Sequence, residues 1–142
     1  MVDIHSILAD YRSKRKQDGP TEKAKTSDSE VPTTSEIPDL FFDHVLVDFK
    51  LTRIEIMVLM FLYRQVYCRP NLFKAYGISQ LMSHTEVAKG LGLSIQDIFH
   101  SLRKIEEYGF ISTVRSGQYF VRKYFTKEND EKYLQTYDDF EI

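Results

Sequence analysis

Eight side chains between residues 94 and 123 carry most of the recognisable chemistry: Ser94, Gln96, His100, Arg103, Lys104, Arg115, Arg122 and Lys123. They offer hydroxyl, amide, imidazole, guanidinium and ammonium groups, which donate and accept hydrogen bonds and neutralise anions. That is chemistry of recognition. Groups that make and break bonds are not arranged for it. His5, His44, His84 and His100 each lack a second histidine, a cysteine or a carboxylate at metal-ligand spacing, so neither a metal nor a cofactor is expected. His44, on an apolar stretch, reads as a core or boundary histidine. Cys68 has no acid–base neighbour in sequence and reads as a small buried residue. Gly90-Leu-Gly92 has no lysine after it and is no phosphate loop, and Glu106-Glu107 reads as a solvated helix face. No enzyme is expected.

The elements that must hold these groups have clear start and stop signals. Ser83 and Glu86 have the spacing of a capping box and open a short helix whose apolar face is Val87, Ala88 and Leu91. Gly90 or Gly92 supplies the positive φ that ends it. Ser94 caps a second helix, with Asp97 near the positive end of its dipole. Ile95, Ile98, Phe99, Leu102 and Ile105 fall at helical spacing and predict one inward stripe; Gln96, His100, Arg103, Lys104 and Glu107 lie off it. Gly109 stops the helix. Arg115-Ser-Gly-Gln118 is a turn between two β-rich runs, so residues 110–125 read as a hairpin. Phe110, Ser112 and Val114 share a face of its first strand; Tyr119, Val121, Lys123 and Phe125 share one of the second. Helix, tight turn, helix and hairpin is the order of a winged helix-turn-helix. The fold class expected is therefore mainly α with a small β-wing.

Upstream, residues 1–16 form a short amphipathic segment. Ile4, Ile7, Leu8 and Tyr11 are spaced i, i+3, i+4, i+7, followed by a basic cluster from Arg12 to Lys16. It reads as a docking motif that orders on a protein partner, as an arm that packs back on the domain, or as a frayed terminus. Residues 17–36 are polar, contain two prolines and read as a flexible linker, the arm's tether to the fold. The domain is expected over 37–125. Leu40, Phe41, Val45 and Leu46 face its core, and Thr52 with Glu55 forms another capping box for its longest helix, about 52–67, apolar nearly all round. Tyr76 to Met82 alternates well enough for a third short strand. Residues 126–142 read as an acidic C-terminal helix and tail. Thr126 caps it, and it either solubilises the protein, covers the basic hairpin, or presents Phe140 and Ile142 to a partner.

Charge is divided along the chain of 142 residues, whose net charge is −2. Residues 37–125 hold 11 basic and 8 acidic side chains; residues 126–142 hold 2 and 6. This is far from the strongly basic balance of a dedicated nucleic-acid binder. A single cysteine suits a reducing compartment. The longest apolar run, Ile56 to Tyr63, is too short to span a bilayer, so no membrane is involved and a cytoplasmic protein is expected.

The run from Ile37 to Ile111, about half the chain, resembles the N-terminal domain of phage replication-initiation protein O and related DnaD-like primosomal winged helices. The resemblance is carried by Ile37-Pro-Asp, Leu51-Thr-Arg-Ile-Glu-Ile-Met-Val-Leu, Tyr63-Arg-Gln-Val-Tyr67, Ile78-Ser, Glu86-Val-Ala-Lys-Gly-Leu-Gly-Leu-Ser94 and Ser101-Leu-Arg-Lys-Ile-Glu-Glu-Tyr-Gly-Phe-Ile111. MarR-type regulators share motifs of this kind. It implies that the helix from Ser94 enters a major groove of double-stranded DNA while the wing touches backbone. Gln96 would then read adenine, His100 would donate or accept, and Arg103, Lys104, Arg115, Arg122 and Lys123 would meet phosphates. Family members tend to be basic just after the helix start, where this chain has Ile95, Gln96, Asp97 and His100. Roughly four to five phosphate contacts imply weak, salt-dependent binding unless the protein is a homodimer. Two functions follow: DNA binding in transcription regulation or replication initiation, or a non-enzymatic protein–protein adaptor on a winged-helix scaffold.

Overall fold

Thr52 starts the element on which the rest packs. Its hydroxyl accepts from Glu55 N at 3.2 Å while its own N–H donates to the Glu55 carboxylate at 3.1 Å, a complete capping box. The structure is a computed structural model and describes residues 31–140. The chain divides into two compact units, Met1–Thr34 and Ser35–Ile142. Of the first, only residues 31–34 are described, and all four are exposed. The amphipathic segment with Ile4, Ile7, Leu8 and Tyr11 lies outside the described residues, as does Ile142.

The second unit holds five helices and one hairpin. Helix α1 is a π-helical turn, Phe41–Val45, running into Leu46–Asp48. Helix α2 is Arg53–Tyr63, prolonged by the π-helical Arg64–Cys68. A 3-10 turn, Lys74–Tyr76, follows. Then come α3 (His84–Leu91), α4 (Ile95–Glu107), β1 (Ile111–Arg115), β2 (Gln118–Val121) and α5 (Lys127–Lys132). The fold is thus mainly helical with a small two-stranded antiparallel sheet. Among the described residues, no helix is long and apolar enough to cross a membrane.

The core lies where α2 meets α4 and the inner face of the hairpin. Val58, Leu59 and Leu62 of α2 pack with Ile98, Leu102 and Ile105 of α4, and with Phe110, Ile111 and Val121. Phe41 and Val45 close one end, but Leu46, the residue after Val45, is turned outward and exposed. The other flank of α2 is not fully covered. Met57, Met60 and Phe61 line an apolar groove of about 270 Å³ with Ile37 and Leu91. His44, expected in the core or at its boundary, is exposed. Cys68 is half-buried and its thiol donates to Glu36 O at 3.3 Å. Arg69 Nη1 donates to Ser35 Oγ at 3.4 Å, so the packed unit begins two residues before Ile37.

The hairpin is shorter than the 110–125 expected. Ile111 pairs with Val121, Ser112 with Phe120 and Thr113 with Tyr119, and a bulge separates Thr113 from Arg115, which pairs with Gln118. After Val121 the chain turns, with Phe125 N bonded to Arg122 O at 3.2 Å. Phe125 takes a positive φ of 75°, unusual for a bulky residue, and this delivers its ring into the core, stacked 4.9 Å from Tyr63. The third strand is reduced to one bridge, Ile78 to Phe120. Backbone bonds still run beside it, from Val121 N to Gly77 O at 2.8 Å, Ser79 N to Tyr119 O at 2.9 Å and Met82 N to Gly117 O at 2.8 Å. Side chains add to them: Ser79 Oγ accepts from Tyr119 N at 3.1 Å, and Gln118 Nε2 donates to Ser79 O at 3.0 Å.

The acidic C-terminal segment is part of the packed unit. Thr126 Oγ1 accepts from Asn129 N at 3.1 Å and caps α5. Beyond it the chain returns along the outer side of β2. Tyr137 sets its ring edge-on to Phe120 at 4.8 Å, Asp138 N donates to Ala75 O at 3.0 Å, and Phe140 rests on Phe73 and Tyr76. Gly77 makes room for this return. A Cβ there would lie 2.8 Å from the Tyr137 ring, and its φ of +69° already favours glycine. The segment thus packs on Phe120 of β2 and on Phe73 and Tyr76, while Arg115 at the hairpin turn stays exposed and Phe140 is half-buried.

Candidate nucleic-acid interface

The outward side of α4 is set by its caps and by what it buries. Ser94 Oγ accepts from Asp97 N at 3.1 Å. The preceding turn is made by Gly92, which adopts φ +68° and ends α3; Gly90 stays inside that helix. The buried line of α4 is Ile98, Ser101, Leu102 and Ile105. Ile95 and Phe99, expected inward, are instead 41% and 49% exposed. The buried line takes in Ser101 instead, so it is centred between Ile98, Leu102 and Ile105 and leaves Ile95 and Phe99 at its solvent edge.

Helical geometry therefore puts Ile95, Gln96, Phe99, His100 and Arg103 on one outward strip, and Gln96, His100 and Arg103 are all exposed. Lys104 lies at its margin, its Nζ 3.6 Å from Glu107 and 5.6 Å from the Tyr108 ring. Such an exposed pair contributes little and leaves the lysine able to swing to another anion. Glu106 is turned to the hairpin, accepting from Thr113 N at 3.0 Å and tying α4 to β1. Arg115, at the end of β1, donates from Nε to Gln118 Oε1 at 2.8 Å while remaining exposed.

Arg122 and Lys123 belong elsewhere. Arg122 Nη1 donates to Asp130 Oδ2 at 3.1 Å, with the two side chains 25% and 4% exposed. Asp130 accepts as well from Tyr124 N at 3.1 Å and from Tyr137 OH at 2.7 Å. Arg122 is thus committed to a mostly buried network that holds the C-terminal segment, and a phosphate would have to break it. Lys123 lines a cavity of about 480 Å³ with Glu36, Asp39, Lys74, Tyr63 and Tyr67, to which α4 contributes nothing. Burial pushes the hydroxyls of Tyr63, Tyr67 and Tyr137 well above the usual tyrosine range, and for Tyr137 the bond to the Asp130 carboxylate adds to this.

A feature the sequence reading missed lies beside the strip. His84, the first residue of α3, sits with its ring 4.7 Å from Phe99 and hydrogen-bonds through Nε2 to the hydroxyl of Tyr119. Tyr119 is buried, and burial raises its hydroxyl too. No local signal pointed to it, because Tyr119 lies 35 residues further along the chain. Among the described residues, no three histidine, cysteine or carboxylate side chains converge as a metal-ligand set. No family model, no curated protein and no solved structure matches this chain.

Proposed function

We propose that this chain is a winged helix-turn-helix protein that binds double-stranded DNA in the cytoplasm, in transcription regulation or replication initiation. Helix α4 lies in the major groove and the hairpin turn reaches the flanking backbone. The observation that carries the reading is the outward strip of α4, which no other described element covers. Gln96, His100 and Arg103 face solvent there, while the C-terminal segment packs instead on Phe73, Tyr76 and Phe120. Gln96 reads adenine, His100 donates or accepts at a base edge, Ser94 caps the helix end nearest the backbone, and Arg103, Lys104 and Arg115 neutralise phosphates.

With Arg122 paired and Lys123 set apart, roughly three phosphate contacts per protomer remain, so log K falls with log salt at a slope of about −3. A homodimer doubles that slope. Fluorescence anisotropy of a labelled duplex pool against salt measures it. Lys104→Glu with Arg115→Glu is expected to weaken binding at least about tenfold at low salt and flatten the slope. No binding at low salt, or no loss in the double variant, removes the reading.

A second reading, a protein–protein adaptor, is favoured by the exposed apolar residues Phe42 and Val47 of α1 and by the groove at Met57, Met60 and Phe61. It expects the opposite result from the same titration: no duplex bound at any salt concentration by a fully folded protein.

A further inference from the structure

We propose that Phe99, assisted by Ile95, contacts the C5-methyl group of a pyrimidine in the major groove, beside the base that Gln96 reads. The inference rests on the DNA-binding reading and adds the chemical identity of what α4 discriminates. Three observations carry it. Phe99 and Ile95 are about half exposed although each is large and apolar, and they share the strip with Gln96, His100 and Arg103. The Phe99 ring is backed by His84, which is itself fastened to Tyr119, so the ring is held at the surface by a chain of contacts that ends in the core. The residues around it are amide, imidazole and guanidinium, a polar frame that suits base edges and phosphates better than an apolar protein partner.

In the major groove the methyl on pyrimidine C5 is the one apolar feature a base edge presents, and phenylalanine is among the side chains that meet it. Thymine carries it in unmodified DNA; 5-methylcytosine carries the same group. An adenine read by Gln96 leaves room for a neighbouring thymine on either strand. Burying one methyl against the ring is worth about fourfold in affinity.

The test begins by selecting duplexes from a random-core pool with the full-length chain. The best duplex is remade with deoxyuridine for each thymidine in turn, which deletes the C5-methyl alone, and with 5-methylcytosine for each cytosine. Dissociation constants are measured for wild type, Phe99→Ala and Ile95→Ser, with thermal unfolding to show that each variant is folded. At one position the wild type should lose about fourfold with deoxyuridine or gain about fourfold with 5-methylcytosine, and Phe99→Ala should be indifferent there. A loss puts the methyl on thymine, a gain on methylated cytosine; both support the proposal. If Phe99→Ala no longer binds, Ile95→Ser carries the comparison, its response at that position being smaller than the wild type's. A wild type indifferent to both replacements, or variants that respond as it does, overturns the proposal and leaves DNA binding standing. A pool from which no duplex is enriched removes both.

Discussion

Arg103 and Arg122 stand for two regions that use the same residue types in opposite ways. Around Arg122 every polar group is matched: Asp130 gathers a guanidinium, a backbone N–H and a tyrosine hydroxyl, and Tyr137 OH accepts in turn from Lys123 N at 2.8 Å. Around Arg103 the side chains point to water, and the ring of Phe99 lies exposed among them. The first region stabilises the fold, because a buried charge must be paired and hydrogen-bonded to be tolerated. The second contributes little to folding, which leaves its residues open to a role in binding. A cationic side chain is therefore informative about function only once its partners are known.

The largest expected effect breaks the Arg122 side of the comparison. Asp130→Ala leaves Arg122, Tyr124 N and Tyr137 OH without their acceptor, and should cost about 3 kcal/mol in urea unfolding, near the low end for a broken buried pair because Arg122 keeps some exposure. A change below about 0.5 kcal/mol would show that this network holds nothing.

The next effect is one of pH. The folded state holds the hydroxyl protons of Tyr63, Tyr67 and Tyr137 more tightly than the unfolded chain, whose tyrosines titrate near 10. Their contribution is fully present below that value and is lost as pH rises through the raised folded values. The melting temperature should accordingly fall above about pH 10, and less steeply in Tyr67→Phe with Tyr137→Phe. An unchanged slope in that double variant would show that other groups cause the fall.

The smallest effect sharpens the other side. Gln96→Ala with Arg103→Ala should leave stability within about 0.5 kcal/mol of wild type, as expected of surface residues with no structural partner to lose. The same variant should bind the selected duplex at least about tenfold more weakly. A stability loss comparable to that of Asp130→Ala would place these residues in the fold and undo the contrast.

What the sequence determined by itself is local. The caps at Thr52, Ser83, Ser94 and Thr126 each accept from an N–H three residues on, and the hairpin turn lies at 115–118. These depend on hydrogen bonds and dihedral preferences spanning a few residues, so residue type and spacing suffice to read them. What only the tertiary structure decided involves partners distant in the chain or ambiguous in type. Packing buried Ser101 of α4 and left Phe99 half-exposed. Asp130 claimed Arg122. Tyr67 OH reached Val121 O across more than fifty residues. The C-terminal segment, whose charge suggested a solvated tail, found Phe73, Tyr76 and Phe120 to pack on. Burial and pairing are properties of the assembled surfaces, and a pattern of residue types leaves several assemblies open until packing selects one.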